Sequence, residues 1–448
     1  MSSVNSCVER PRCQCALGGA LITLNSIHRA AAIVHASPGC AATADAAASQ
    51  GGGYWGTTAN NGRATPSTNM LEREIVFGGE ERLQEQIGTT LEVVDADLFG
   101  VVTGCMTDII GDDVKAVVSK FQSEGKAVVF AETGGFKGTT SDGYDLIWQA
   151  LVEQYVEKGL PRKKGLVNIL GLVPTQDVFW RGNLLELRRL LEKLEVDVNT
   201  FLTPFDDLSA LRRSSQAALN IVLSDTDGQR VAQRFEELHG VPHVTLPPPI
   251  GPSATERFLR EIGERLEVES QRVEQLIAEE CRWYYSFIEH LAELYNDQDF
   301  QRYAVIVAGS ASAYALTRFV SEDLNWIPFA TVVTDLVDEV QQERIRTRFE
   351  ELPTELRPRL IFEADTTRIA EKVLEQVAAE NDPYGEAISP AFVLGSTLDR
   401  PLAAALKAVF WSVSYPVVNR VVTDQGYYGY RGGLRLATEI LSVLVSNR

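Results

Sequence analysis

Leu98-Phe-Gly-Val-Val-Thr103-Gly-Cys105-Met-Thr-Asp-Ile-Ile-Gly111-Asp-Asp113 decides the fold class. Its first six residues are an unbroken apolar and β-branched run, the pattern of a strand buried on both faces of a parallel sheet. A glycine then releases the chain, and a pair of acids marks a helix start, where negative charge suits the helix dipole. A helix over 113–122, a second buried strand over 127–131 and a helix over 141–157 continue the alternation. Strands separated by amphipathic helices are the units of a parallel α/β sheet.

The pattern repeats outward. Lys158-Gly-Leu-Pro-Arg-Lys-Lys-Gly165 combines breakers with a basic cluster and places a domain boundary there. Strands are expected at 166–172, 196–201, 219–223 and 243–246, with helices over 184–193 and 228–239. Pro247-Pro-Pro-Ile-Gly-Pro252 ends that sheet, and one long helical stretch is read from about Ala254 to Asn296. Tyr303-Ala-Val-Ile-Val-Ala-Gly309 opens a third unit, with strands at 331–333, 359–362 and 391–394. The reading is an α/β protein of three Rossmann-like domains with parallel sheets: 1–164, 165–300 with its long helical connection, and 301–448.

Composition narrows the class. With 448 residues, 45% of them apolar and 23% charged, the chain is long enough for about two to four cores and has no bias toward disorder. The apolar runs are too short to span a bilayer, so no membrane is expected as partner. The first twelve residues hold no apolar signal core. Six cysteines make no disulfide scaffold and predict a reducing, cytoplasmic compartment. A net charge of −19 argues against a nucleic-acid partner, which needs clustered Lys and Arg.

Cys15, Cys40 and Cys105 each lie in a glycine-punctuated segment: Cys15-Ala-Leu-Gly-Gly, Ser37-Pro-Gly-Cys40 and Gly104-Cys105. Thiolates suit iron–sulfur clusters, and glycines let backbone approach a bulky inorganic core. Spacing alone leaves the other reading open, that of small buried hydrophobes, which is the expectation for Cys281 inside its helical stretch. Cys7 and Cys13 fall in the N-terminal tail, where either can exchange with Cys15 as a ligand.

Val34-His35-Ala-Ser-Pro-Gly-Cys40, Glu72-Arg-Glu-Ile-Val-Phe-Gly-Gly79 and Gly104-Cys105 through Asp113 resemble signature segments of the nitrogenase component-1 family. The resemblance runs from Cys15 to Tyr415-Pro-Val-Val-Asn-Arg and Gly429-Tyr-Arg-Gly-Gly433, nearly the whole chain. It implies that Cys15, Cys40 and Cys105 join cysteines of a partner subunit around an interfacial iron–sulfur cluster, of the 8Fe-7S P-cluster type or a 4Fe-4S cluster. The separation of Cys15 from Cys40 matches the family's β-type subunit. That family's α-type subunit also holds a catalytic cofactor through one cysteine and one histidine. Here Ser224 stands at the cysteine position, and the C-terminal segment has no histidine. The resemblance therefore implies a β-type chain without a cofactor of its own, in an α2β2 heterotetramer.

Departures refine the expectation. Gly135 stands where the dinitrogenase β chain places a serine near its cluster, and the stretch 41–67 lacks the basic-aromatic word of that chain. Both point to a nitrogenase-like reductase, first among them the methylthio-alkane reductase β-type subunit. A dinitrogenase β chain, a non-catalytic cofactor-assembly scaffold subunit and a tetrapyrrole reductase remain as alternatives, as does an iron-free nucleotide- or sugar-binding α/β protein. No phosphate-binding Gly-x-x-x-x-Gly-Lys-Ser/Thr occurs, so ATP would be hydrolysed by a separate homodimeric iron–sulfur ATPase. Weaker candidates are a phosphate cradle at Gly309-Ser-Ala-Ser-Ala, cluster tuning by His28 or His35, a cation at Asp112-Asp113, and a charged face over 344–359. For each the structural reading is preferred.

Overall fold

A computed structural model describes residues 7–56, 65–292, 295, 302–380 and 390–446. Its strands form separate parallel sheets in order β1-β2-β3, β5-β4-β6-β7 and β10-β9-β8-β11-β12. The first holds β1 (Ala30–His35), β2 (Leu98–Thr103) and β3 (Val128–Ala131). The second holds β4 (Lys163–Leu170), β5 (Asp197–Asn199), β6 (Ala217–Val222) and β7 (His243–Thr245). The third holds β8 (Tyr303–Ala308), β9 (Ile327–Val333), β10 (Arg359–Phe362), β11 (Phe392–Gly395) and β12 (Val409–Ser412). Strand β2 is buried at all six positions, as an unalternating apolar run requires. Among the described residues no helix is long and apolar enough to cross a membrane.

Several elements depart from the sequence reading. Strand β1 escapes the pattern because its first half is Ala-Ala-Ala, and alanine has little β preference. Strand β12 was likewise not expected. The boundary at 164/165 falls inside β4, which starts at Lys163. The single helix read over 254–296 is two, Gly251–Arg265 and Ser270–Ile288. Glu267 adopts a left-handed φ of 55° between them, and Val268 N–H closes the turn on Gly263 O at 2.8 Å. A Cβ on Gly263 would lie 2.7 Å from Val273, so the helices fold back on each other through that glycine. Pro252 opens the first of these helices, where its missing N–H has no partner to lose. Asn296 lies outside the described residues.

One apolar core joins the units: Tyr144 and Trp148 from the first, Trp180 and Phe235 from the second, Trp326 and Phe392 from the third. The C-terminal helix Gly429–Ser446 packs against Gly251–Arg265 and Trp180–Lys193 of the second unit. Asn183 Oδ1 accepts the N–H groups of Tyr427 and Tyr428 and fixes that return.

In the first unit, α1 (Ala16–Ser26), α2 (Pro38–Gly51), α3 (Glu72–Phe77), α4 (Glu80–Val93), α5 (Cys105–Ile110), α6 (Val114–Ser123) and α7 (Thr140–Gln154) surround the sheet. Helices α1 and α7 cross at glycines. A Cβ on Gly19 would meet Thr140 O at 2.1 Å, and one on Gly143 would meet Ala16 O at 2.0 Å. Backbone cannot yield as a side chain can, so Gly19→Val is expected to cost at least about 1–3 kcal/mol by overpacking. Thermal unfolding checks this, and an unchanged Tm would show that the crossing is loose.

Candidate functional site

The site is built on the carboxyl ends of β1, β2 and β3, where parallel sheets present their binding crevice. After β1, Ser37 caps α2, Pro38 starts it, and Cys40 falls in its first turn with Sγ 3.4 Å from Ser37 Oγ. After β2, Gly104 caps α5 and Cys105 is its first residue. A Cβ on Gly104 would lie 2.6 Å from Ala36 Cβ, so the two strand ends approach as only glycine permits. Gly104 N–H and Thr107 Oγ1–H both donate to His35 O, at 2.9 and 3.1 Å, and lock these ends in register.

The turn after β3 completes the arrangement. Thr133 N–H donates to Thr103 Oγ1 at 2.8 Å, and Gly134 N–H donates to Asp108 Oδ2 at 3.1 Å. Gly135 N–H donates to Cys105 Sγ at 3.0 Å. Cys15 caps α1 and pairs with Thr139 in an antiparallel bridge, which carries it to the same turn. A Cβ on Gly135 would sit 3.1 Å from Cys105 Sγ, 3.3 Å from Cys15 Cβ and 3.6 Å from Cys15 Sγ. Two thiols distant in the sequence therefore flank one bare backbone position. Cys40 leaves the neighbouring strand end and makes its contact with Ser37 instead. Cys15 is exposed, and Cys40 and Cys105 are half-buried. Among the described residues no group of three or more His, Cys, Asp or Glu is arranged to hold a metal ion alone.

Exposed apolar side chains stand on the turn after β3, on α5 and on α3, which packs against α5. Phe136, Ile109, Val76 and Phe77 are 62%, 68%, 71% and 83% exposed. Phe136 follows Gly135 directly, and Ile109 lies on α5 with Cys105.

The sequence pattern of the family described as nitrogenase component 1 type oxidoreductase matches residues 15–445. The chain belongs to that family. Among curated proteins it is similar to a nitrogenase molybdenum-iron protein beta chain of Sinorhizobium fredii, 28% identical over 70% of this chain. It is also similar to a nitrogenase iron-molybdenum cofactor biosynthesis protein NifE of Methanococcus maripaludis, 28% identical over 69% of this chain. The matched part is 62% of the length of each of these two relatives. The solved structure titled "Nitrogenase Cp1 at pH 6.5" superposes with a TM-score of 0.79 at 19% identity, covering 100% of this chain and 95% of that one. The α/β fold with parallel sheets is thus that of nitrogenase component 1.

Other expected sites of this family member resolve into structure. His35 is fully buried, with Nδ1 3.1 Å from Thr68 Oγ1 and Nε2 3.0 Å from Asp112 Oδ2, so both ring nitrogens are taken. Burial lowers its pKa, against the opposing pull of Asp112. His28 lies at the surface beside Asp206 O. Asp112 accepts Gly79 N–H at 2.9 Å, and Asp113 caps α6 through Ala116 N–H, which accounts for both acids without a cation. Ser224 is buried and donates to Asp227 Oδ2 at 3.0 Å, a structural link. At Gly309 the cradle is filled from within, because Asp335 Oδ2 accepts Ser310 N–H and Oγ–H, each at 2.6 Å.

The remaining cysteines separate from the trio. Cys13 turns into the cleft between the units beside Asp142 and Asp335, where burial and then those charges push its thiol up to about 12. Cys281 sits on its helix beside Glu256 and Tyr430, also pushed up, to about 11, first by burial. Cys7 is exposed in the tail. What the sequence did not reveal is the partner role of Gly135 N–H and the Lys137 ammonium, 3.2 Å from Asp108 and 2.8 Å from Glu132 beside Cys105.

Gly135 also carries a test of its own. If Cys15 and Cys105 hold an iron–sulfur cluster, Gly135→Ser is expected to place a hydroxyl oxygen among the two thiols and give that cluster an extra ligand in its oxidised state. Potentiometry with paramagnetic resonance reads this as a new pH-dependent oxidised signal, and an unchanged titration would show that the position faces away.

Proposed function

We propose that this chain is the β-type subunit of an ATP-dependent nitrogenase-like reductase and holds half of an iron–sulfur cluster through Cys15, Cys40 and Cys105. The observation that carries the reading is the meeting of the Cys15 and Cys105 thiols around Gly135, with Phe136 and Ile109 exposed on the same elements. The residues fit such a group. They are soft donors, two of them just past strand ends, the position between Cys15 and Cys105 has no side chain, and a backbone N–H already donates to sulfur, as cluster sulfurs require. Among the described residues too few ligands lie together to close a site within one chain. The exposed Phe77, Phe136 and Ile109 supply the apolar surface that an α-type subunit would cover while contributing its own thiolates.

When bound, the cluster would store and pass single electrons. The chain's own part is to hold the ligands, exclude water at the seam and set local charge through Lys137, Asp108 and Glu132. Electrons would come from a docked homodimeric iron–sulfur ATPase, since this chain has no phosphate-binding loop of that kind. With Ser224 hydrogen-bonded in a structural link, substrate reduction would belong to the α-type partner. Reductive cleavage of a carbon–sulfur bond in a methylthio-alkane is the reaction we assign, on general resemblance; the departures at Gly135 and over 41–67 support only the separation from the dinitrogenase β chain, and residues 57–64 of that stretch lie outside the described residues. The likeness to a NifE protein supports a second reading, a cofactor-assembly scaffold.

Anaerobic co-purification with the partner subunit, followed by iron analysis, paramagnetic resonance and a turnover assay with the ATPase, separates these. Iron with thioether reduction supports the reductase. Iron without turnover of any substrate supports the scaffold, and an iron-free complex overturns both.

A further inference from the structure

Residues 9–15 form a strap from the third sheet to the first. At its outer end Glu9 N–H donates to Asp365 Oδ2 at 2.9 Å, and Arg10 O accepts Thr366 N–H at 3.2 Å. Arg12 Nε–H donates to Thr366 Oγ1 at 3.1 Å, and its two terminal nitrogens grip both oxygens of Asp399 at 2.5 and 2.9 Å. Both side chains of that pair are 2% exposed. At the inner end Gln14 N–H donates to Thr140 Oγ1 at 2.7 Å, Cys15 bridges to Thr139, and Ala16 N–H donates to Gly138 O at 2.9 Å. Asp365 and Thr366 follow β10, Asp399 follows β11, and Thr139 follows the turn after β3.

A buried ion pair adds little net stability over an apolar pair of the same volume. What a bidentate arginine–carboxylate contact adds is geometry, because the planar fork accepts one orientation. Here that orientation is imposed three residues before Cys15. Asp399 is fixed in turn by Ser396 N–H, which donates to its Oδ2 at 2.7 Å. The thiol facing Gly135 is thus held from both sides, by the first unit directly and by the third unit through Arg12.

We propose that Arg12 and Asp399 are positioning residues for Cys15: the buried clamp sets the register of the strap and makes the third unit part of the rigid support of the thiol. The identity of Cys15 as a cluster ligand rests on the function proposed above, whereas the clamp's hold on the strap is a property of this chain alone.

The test compares the wild-type chain with Arg12→Met/Asp399→Asn, which removes both charges together and leaves neither buried ion unpaired. Arg12→Lys keeps the charge and loses the fork, and serves as the second variant should the first not fold. In the purified chain, mass-mapped alkylation of Cys13 is expected to rise at least about tenfold in the double variant, because the strap opens locally, while Cys281 is unaffected. Arg12→Lys should move in the same direction by less. In the iron-loaded complex, the midpoint potential and line shape of the cluster should change while iron content and Tm stay near wild type, a pattern that a merely structural pair would not give. Unchanged Cys13 protection in both variants overturns the clamp. Unchanged potential with opened Cys13 overturns the positioning of Cys15. A wild-type complex without iron overturns the relay reading and Cys15 as a ligand, and alkylation then decides the clamp by itself.

Discussion

Replacing Cys105 by alanine is expected to strip iron from the complex and abolish turnover while leaving the fold in place. Cys105 begins α5 and its Sγ accepts Gly135 N–H, so it is at once the proposed ligand position and the anchor of the turn that faces Cys15. Losing that one hydrogen bond costs the fold about 1 kcal/mol. Losing a cluster ligand should exceed the 10–100-fold penalty that changes in outer-shell partners bring. Iron content, the paramagnetic signal and Tm should be measured on the anaerobically purified complex, with Cys281→Ser as control. Cys281 packs against the apolar core beside Glu256 and Tyr430 of two neighbouring helices, and its replacement should leave iron untouched. Full iron in the Cys105→Ala complex would remove Cys105 from the ligand set.

Asp227→Asn is expected to stabilise the chain above neutral pH and to flatten the acid side of its stability profile. Asp227 is buried where the units meet, and burial, then the charge of Asp335, push its carboxyl up to about 7. In the unfolded chain the same group titrates near about 3.9. A raised folded-state pKa means that the native state binds the proton more tightly than the unfolded state. The favourable contribution is therefore complete below about pH 4 and is lost as pH rises to about 7. Each unit of difference corresponds to on the order of 1.4 kcal/mol. Asp145, pushed up to about 6 by burial, and Asp335, also raised by burial, act with the same sign. Asparagine keeps an acceptor for Ser224 and carries no charge, so Tm should rise at pH 8 and stay level at pH 4. Equal slopes for the two proteins between pH 4 and 7 would show that Asp227 titrates as an ordinary carboxylate.

Much of the fold is written locally. The buried run of β2, the strands β4, β6 and β8, and the helices over 114–123 and 229–239 follow from apolar runs and helical spacing, because those patterns express which faces neighbours will cover. Strand β1 was hidden, since alanine carries no such preference and only pairing with β2 makes it a strand. The break at Glu267 was hidden as well. A left-handed turn at a glutamate is held by Val268 closing on Gly263 and by packing onto Val273, neither of which is visible in helical periodicity.

The candidate site divides along the same line. The identities of Cys15, Cys40 and Cys105, and the glycines beside them, were legible because chemistry is a property of residue type. That Cys15 and Cys105 face each other across Gly135, while Cys13 turns away into an acidic cleft, was decided only in three dimensions. So was the pairing of Arg12 with Asp399, 387 positions apart. Local preference acts over a few residues, whereas convergence of distant side chains is fixed by which sheets pack together, and that is settled by burial over the whole chain.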